Sequence, residues 1–134
     1  ATKHGAYDEA YKTLMENLDK AEALLGKQRY LCGDTLTLMD LKLYMTLIRF
    51  DPVYVVYFKT YNKRIDEYPN LCNFTKEIYQ IPEVRAATNF KHIKTHYFTS
   101  HPKLNTYAII PNRPNPAVDE PHDRDTKFPI KTVA

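Results

Sequence analysis

Tryptophan is absent from this 134-residue sequence, and glycine and cysteine are scarce, at three and two residues. Few glycines allow few tight turns, which favours a helical fold over a sheet built from hairpins. No run of about 18 apolar residues occurs, so the sequence predicts no membrane-spanning helix. The first stretch is polar and lacks the apolar segment of a signal peptide. These absences point to a helical domain that does not cross a membrane.

Neither sign of charge dominates. Nineteen Lys and Arg face sixteen Asp and Glu, and the two signs are interleaved along the chain. The net charge of +3 is too small and too spread out to predict a nucleic-acid-binding surface. Hydrophobic residues make up 43% of the sequence, enough for one domain with a sizeable core.

The two cysteines, Cys32 and Cys72, lie far apart in sequence. They form neither a metal-binding pair nor a disulfide framework, so we interpret them as reduced thiols in a cytoplasmic compartment. Both are expected to be small buried hydrophobic residues, although a place near a helix start would lower the pKa of Cys72.

The first segment has the clearest helical periodicity. One face carries apolar residues at spacings of three and four, and the opposite face carries charged residues that include Glu22. Gly26 is the predicted end of this helix, in a left-handed conformation. The apolar face consists of Tyr7, Tyr11, Leu14, Leu18, Ala21 and Leu25.

A second helix is predicted to open at Thr37. Thr37 and Asp40 have the spacing of a capping box, in which each side chain bonds the other's backbone N–H. The apolar run that follows extends to Phe50, as in the central helix of a bundle. Pro52 then predicts a kink. Residues 53–58 have strand-like propensity, but one isolated strand would have no partner, so we favour a further helical piece. Arg49 is expected to form an ion pair with Asp51, because a buried charge needs a partner.

Three more helices are predicted before the chain changes character. They begin near Pro69, Pro82 and Asn89. Six prolines after Ser100 forbid regular helix and predict an extended tail over residues 101–134, behind a bundle of residues 1–100. Residues 119–127 of this tail are expected to be exposed. Its first half is expected to pack on the bundle through Leu104, Tyr107, Ile109 and Ile110.

Several strings in order resemble the C-terminal helical domain of xi-class, omega-like glutathione transferases, the glutathionyl-hydroquinone reductases. They are RYLCGD at 29–34, LIRFDPVYV at 47–55, DEYPNL at 66–71, IYQ at 78–80, NFKHIKTHYF at 89–98 and DEPH at 119–122. The resemblance implies an all-α bundle. It also implies a glutathione-dependent reductase that converts glutathionyl-hydroquinones to hydroquinones, with its nucleophilic Cys in a separate thioredoxin-like domain.

The resemblance further implies a homodimer, an aromatic glutathione conjugate as substrate, and glutathione bound mainly by the thioredoxin-like domain. This sequence has no Cys-Pro pair and begins at Ala1 with a helical pattern under way by Tyr7. We therefore expect a fragment of a longer protein that is inactive alone. No catalytic residue is assigned to this chain.

By the same resemblance Tyr97 is predicted to lie in the hydroquinone pocket, where its phenol can bond a substrate hydroxyl. His96 is predicted to touch the substrate beside it. His92 and His96 share a helix face, as metal ligands do, but no third ligand is evident, so we interpret them as a surface or pocket-rim pair. The alternative function is a non-catalytic interaction module of the same superfamily.

Overall fold

The computed structural model describes residues 1–129, which fold as a helical bundle without strands. The helices are α1 (His4–Leu25), α2 (Leu38–Arg49), α3 (Val55–Tyr57), α4 (Pro69–Tyr79), α5 (Pro82–Ala87), α6 (Phe90–Thr99) and α7 (Arg124–Lys127). A π-helical turn (Phe50–Tyr54) links α2 to α3, and a 3-10 turn (Ile65–Glu67) precedes α4. The all-α class predicted from the sequence is confirmed. The last five residues of the predicted tail, 130–134, lie outside the described residues.

Helix α4 is the centre of the bundle. It contacts α1, α2, α5, α7 and the 3-10 turn. Its apolar face, Leu71, Phe74 and Ile78, is fully buried. Around it the core takes residues from almost every element, including Leu18, Leu25, Tyr44, Leu47, Ile48, Phe50, Val55, Ile65, Tyr68 and Val118.

Helix α1 buries the predicted face, with Leu18 and Leu25 against the core. Glu22, predicted on the outer face, is instead half-buried. Its carboxylate accepts the backbone N–H groups of Asn70 at 3.0 Å and Leu71 at 2.8 Å. These are unpaired donors of the first turn of α4, so a side chain of α1 caps another helix. Because capping partners across a bundle leave no local pattern, the periodicity of α1 could not predict this contact.

Gly26 ends α1 as predicted, but for a different reason. Its φ of −74° is right-handed, so no left-handed conformation requires glycine here. A Cβ at this position would lie 3.2 Å from the Asn70 amide nitrogen. Gly26 therefore makes room for the side chain that α4 places against α1.

Helix α2 starts at the predicted capping box. The buried Asp40 carboxylate accepts three hydrogen bonds, from the Thr37 N–H and hydroxyl and from the Leu31 N–H, each at 2.8 Å. The third bond ties the loop at 29–34 to the helix. That loop folds back at Gly33, whose φ of +105° is left-handed.

The segment after α2 is helical, as predicted, although its first turn is wider than an α-helix. Val55 donates its N–H to the Phe50 carbonyl, a bond spanning five residues. The predicted ion pair between Arg49 and Asp51 is wrong. Asp51 accepts the N–H groups of Ile65 at 2.8 Å and Asp66 at 3.3 Å, and Arg49 donates to the Met45 carbonyl. Backbone donors satisfy the buried carboxylate, so it needs no arginine.

The structure of the tail contradicts the predictions from the sequence in two respects. Its predicted packing residues are exposed, from 39% at Ile110 to 85% at Tyr107. Arg124, within the stretch predicted to be exposed, is fully buried and begins the one-turn helix α7. Arginine is favoured where several unpaired carbonyls converge. The carbonyls that Arg124 bonds lie far away in sequence, so the local pattern does not predict its burial.

Arg124 belongs to a buried ionic cluster that fastens the tail to the bundle. Its guanidinium donates to the backbone carbonyls of Leu25, the last residue of α1, and of Gln28 and Arg29 in the loop that follows. Glu77 of α4 bridges both arginines, with 2.6 Å to Arg29 and 3.4 Å to Arg124. Burial lowers the pKa of Arg124. The cluster therefore joins α1, α4 and α7 at one point.

Candidate functional site

A cavity of about 600 Å³ lies between α2, α5 and α6. This volume suits a small aromatic ligand. Its apolar walls come from α2 on one side and from α5 and α6 on the other. They are formed by Leu41, Tyr44, Met45, Ile48, Val84, Ala87 and Ile93. We call it the α2–α6 cavity.

Tyr97 lies on the wall of the α2–α6 cavity, on the inner side of α6. Its ring is half-buried and packs edge-on against Tyr54, with centroids 5.8 Å apart. The two hydroxyl oxygens are 3.3 Å apart, within hydrogen-bonding distance. The structure thus places Tyr97, with its hydroxyl hydrogen-bonded to Tyr54, on the wall of an apolar space.

The π-helical turn positions Tyr54. The turn holds one residue more than an α-helical turn, which rotates every later residue around the helix axis. Pro52 lies inside it and has no N–H to donate, so a continuous α-helix would lose a bond there in any case. Burial, and then the hydrogen bond to Tyr97, raises the pKa of Tyr54 to about 12. Its hydroxyl is therefore protonated at neutral pH.

Both histidines of α6 line the rim of the cavity and are exposed. The His96 ring packs against Tyr97, with centroids 5.4 Å apart. His96 also approaches the Ser100 hydroxyl at 3.4 Å. Among residues 1–129, no group of three His, Cys, Asp or Glu side chains is placed to hold a metal ion.

The two thiols lie in different surroundings. Cys32 is exposed in the loop before α2, so its prediction as a buried residue is wrong. Cys72 is half-buried in the first turn of α4 and lines a second cavity of about 390 Å³ beneath the tail. Burial raises the pKa of Cys72, so the lowering predicted from a place near a helix start is wrong.

Sequence reasoning placed Tyr97 and His96 together, and the structure brings both to the α2–α6 cavity. It missed Tyr54, which lies within the LIRFDPVYV string but was not singled out. The available signal was Pro52, since a proline in an apolar helical run marks a distorted turn that re-aims the next side chains. Thr37 and Asp40 lie away from the cavity and hold the start of α2.

Residues 5–74 match the family model for the glutathione S-transferase C-terminal domain. The glutathionyl-hydroquinone reductase YqjG of Escherichia coli is 48% identical over 128 residues, covering 96% of this chain and 39% of that protein. The glutathionyl-hydroquinone reductase PcpF of Sphingobium chlorophenolicum is 40% identical over 114 residues, covering 85% and 36%.

Solved structures agree with these matches. The glutathione-bound structure of YqjG superposes with a TM-score of 0.92 over 96% of this chain and 42% of that one. The xi-class glutathione transferase of Natrialba magadii gives 0.91 at 36% identity, over 94% and 38%. This chain spans about two fifths of the length of these proteins. No helix within residues 1–129 combines the length and apolar character needed to cross a membrane. The chain belongs to the glutathione S-transferase C-terminal domain family, and its relatives are xi-class, glutathionyl-hydroquinone reductase proteins.

Proposed function

We propose that this chain is the substrate-pocket half of a glutathione-dependent reductase of glutathionyl-hydroquinones. The observation that carries the proposal is the Tyr97 hydroxyl, hydrogen-bonded to Tyr54 on the wall of an aromatic-sized apolar cavity. An apolar pocket with few polar groups is the usual design for binding a ring and fixing its orientation. Relatives named for this reaction support the choice of substrate.

The proposed chemistry takes place in two steps at sulfur. A cysteine thiolate of a thioredoxin-like domain attacks the glutathionyl sulfur and forms an S–S bond. The bond from that sulfur to the aromatic ring breaks, its electron pair stays on the ring, and the ring takes one proton and leaves as hydroquinone. A second glutathione thiolate then attacks the mixed disulfide, which releases glutathione disulfide and regenerates the enzyme thiolate.

The residues of this chain act on the aromatic half of the substrate. Tyr97 donates a hydrogen bond to a ring hydroxyl oxygen and so fixes the orientation of the ring. His96, at the rim beside Tyr97, contacts the substrate where the cavity opens. Glutathione is assigned mainly to the thioredoxin-like domain, because the described residues around the cavity offer few charged groups for its carboxylates.

The proposal includes a homodimer in a reducing, cytoplasmic compartment. Two free thiols fit that compartment. Large apolar side chains left exposed by this chain support contact with further protein surface, either the thioredoxin-like domain or a second copy. They include Leu38, Met39, Met45, Val56, Phe58, Tyr61 and Leu104.

Binding to this chain tests the pocket directly. Hydroquinone titrated into the isotope-labelled chain is expected to shift NMR signals of α2 and α6. Tyr97→Phe should weaken its affinity roughly three- to tenfold, the worth of one hydrogen bond. Tyr107→Phe, on the exposed tail, is the matched control. Equal affinities in the wild type and Tyr97→Phe would contradict the role of Tyr97.

Turnover measurements test whether the nucleophile lies in the thioredoxin-like domain and not in this chain. The chain alone is expected not to reduce a glutathionyl-hydroquinone with glutathione, and mixing with a thioredoxin-like domain of a family member is expected to restore reduction. Turnover by the chain alone would refute the placement of the nucleophile and direct attention to Cys32 and Cys72. Tight association with the added domain, without turnover, would favour an interaction module.

A further inference from the structure

Tyr54 and Tyr97 share one hydrogen bond, so only one of the two hydroxyls donates to the other. We propose that Tyr54 is the donor and a positioning residue, which turns the Tyr97 hydroxyl hydrogen into the α2–α6 cavity toward a phenolic oxygen of the ligand. This inference rests on the proposed function.

The direction of the bond follows from which of the two residues lines the cavity. Tyr97 lines the cavity, and Tyr54 does not. If Tyr97 donated to Tyr54, the hydrogen left over would belong to Tyr54, whose hydroxyl has no other partner among the described residues. If Tyr54 donates, the hydrogen left over belongs to Tyr97, the residue that lines the cavity. In this second arrangement a bound ligand can accept the remaining hydrogen.

The surroundings of Tyr54 fit a fixed donor. Its ring packs against Phe50 at 5.9 Å and Phe58 at 5.1 Å, in addition to Tyr97. These contacts hold the ring from both sides, and burial keeps the hydroxyl protonated far above neutral pH because it raises the pKa of Tyr54 to about 12. A donor that is packed among rings and stays protonated can orient its partner.

The π-helical turn makes this arrangement possible. Tyr54 is the last residue of the turn, so the one-residue offset sets the direction of its side chain. Phe50, at the first position of the turn, anchors the segment in the core with no exposed surface. The sequence thus uses a distorted turn to aim one tyrosine at another.

Two ligands of the same shape distinguish an effect of Tyr54 on hydroxyl orientation from an effect of Tyr54 on packing. Hydroquinone and p-xylene differ only in hydroxyl against methyl, and both are titrated into the chain by NMR. Tyr54→Phe is expected to weaken hydroquinone roughly three- to tenfold and to leave p-xylene unchanged. In a Tyr97→Phe background, Tyr54→Phe is expected to have no further effect on hydroquinone.

Tyr57→Phe is the matched control. Tyr57 belongs to the same aromatic cluster, and its buried hydroxyl has no hydrogen-bond partner within residues 1–129. Its removal is expected to leave both affinities unchanged. An equal loss for both ligands in Tyr54→Phe, or a loss that persists in the Tyr97→Phe background, would show that Tyr54 only packs, and so would overturn the proposal.

A ligand-free readout distinguishes this inference from the proposed function. In the wild-type chain the Tyr54 hydroxyl hydrogen is expected to exchange slowly with water and the Tyr97 hydrogen quickly, since only the first is held in a bond. The two are assigned by the signals lost in each Phe variant. Slow exchange at Tyr97 with fast exchange at Tyr54 would reverse the direction and refute the inference. A failure to bind hydroquinone, with Tyr54 still the slow donor, would refute the proposed function alone.

Discussion

Arg124→Met is expected to be among the most destabilising single changes in the chain. Methionine fills a similar volume but removes the guanidinium, which donates to the carbonyls of Leu25, Gln28 and Arg29. Those buried acceptors lose their partner, and Glu77 loses one of its two cations. Breaking a buried charged cluster on one side costs about 3–5 kcal/mol. Because Arg29 still neutralises Glu77 at 2.6 Å, we expect the lower end, about 3 kcal/mol.

Urea unfolding followed by circular dichroism measures this loss. With a denaturant slope of about 1–3 kcal/mol per molar, the midpoint is expected to fall by roughly 1–3 M. Lys127→Met is the control, because Lys127 is a cation on the same turn but is exposed. Exposed pairs are worth less than about 1 kcal/mol, so its midpoint should hardly move. Equal midpoints for the two variants would refute the role assigned to the buried cluster.

Three further outcomes are expected. Asp40→Ala removes three hydrogen bonds from a fully buried cap and should cost at least about 2 kcal/mol in thermal unfolding; a loss under 1 kcal/mol would contradict the cap. Iodoacetamide at pH 8, followed by mass spectrometry, should label the exposed Cys32 at least about ten times faster than Cys72, whose pKa burial raises; similar rates would contradict its burial. The pKa of Tyr54 is about 12 in the folded state, against 10.0 for a free tyrosine. The stability that depends on this protonated hydroxyl is therefore complete below pH 10 and is lost as the pH rises to 12. Between pH 10 and 12 the wild type should therefore lose more stability to urea than Tyr54→Phe; parallel losses would contradict the shift.

Features set by neighbouring residues could be predicted from the sequence. The face of α1 follows from apolar spacing, and the start of α2 follows from Thr37 and Asp40, three residues apart. The helical start at Pro69 follows from the preference of proline for the first turn. In each case the partners lie within a turn or two, so the local pattern holds the information.

Features that depend on contacts across the bundle could not be predicted from the sequence. Glu22 looked like a solvent-facing residue because its partners, the first N–H groups of α4, lie 48 and 49 positions away. Arg124 sits in a charged, proline-flanked stretch that is typical of an exposed tail. The opposite error occurs at Tyr107, whose aromatic ring predicts burial but whose side chain is exposed in this chain. Burial in such cases depends on which unpaired backbone groups meet, not on side-chain type.

The candidate site shows the same division. The prediction of Tyr97 depends on a resemblance that runs over many strings, and His96 is its immediate neighbour in the sequence. The direction of the Tyr54 side chain depends on a π-helical offset. Apart from the presence of Pro52, neither helix propensity nor apolar periodicity predicts that offset.

The long sequence separation within the ionic cluster has a consequence for folding kinetics. The bond from Arg124 to Leu25 closes a span of 99 positions, whereas Glu22 reaches α4 across about half that distance. Long spans cost more chain entropy to close, so we expect the α1–α4 contact in the transition state and the Arg124 contacts only afterwards. Loss of a late contact accelerates unfolding and leaves the folding rate almost unchanged. For about 3 kcal/mol the folded lifetime should shorten by roughly a hundredfold. In stopped-flow measurements, Arg124 would then set how long the domain stays folded, not how fast it forms.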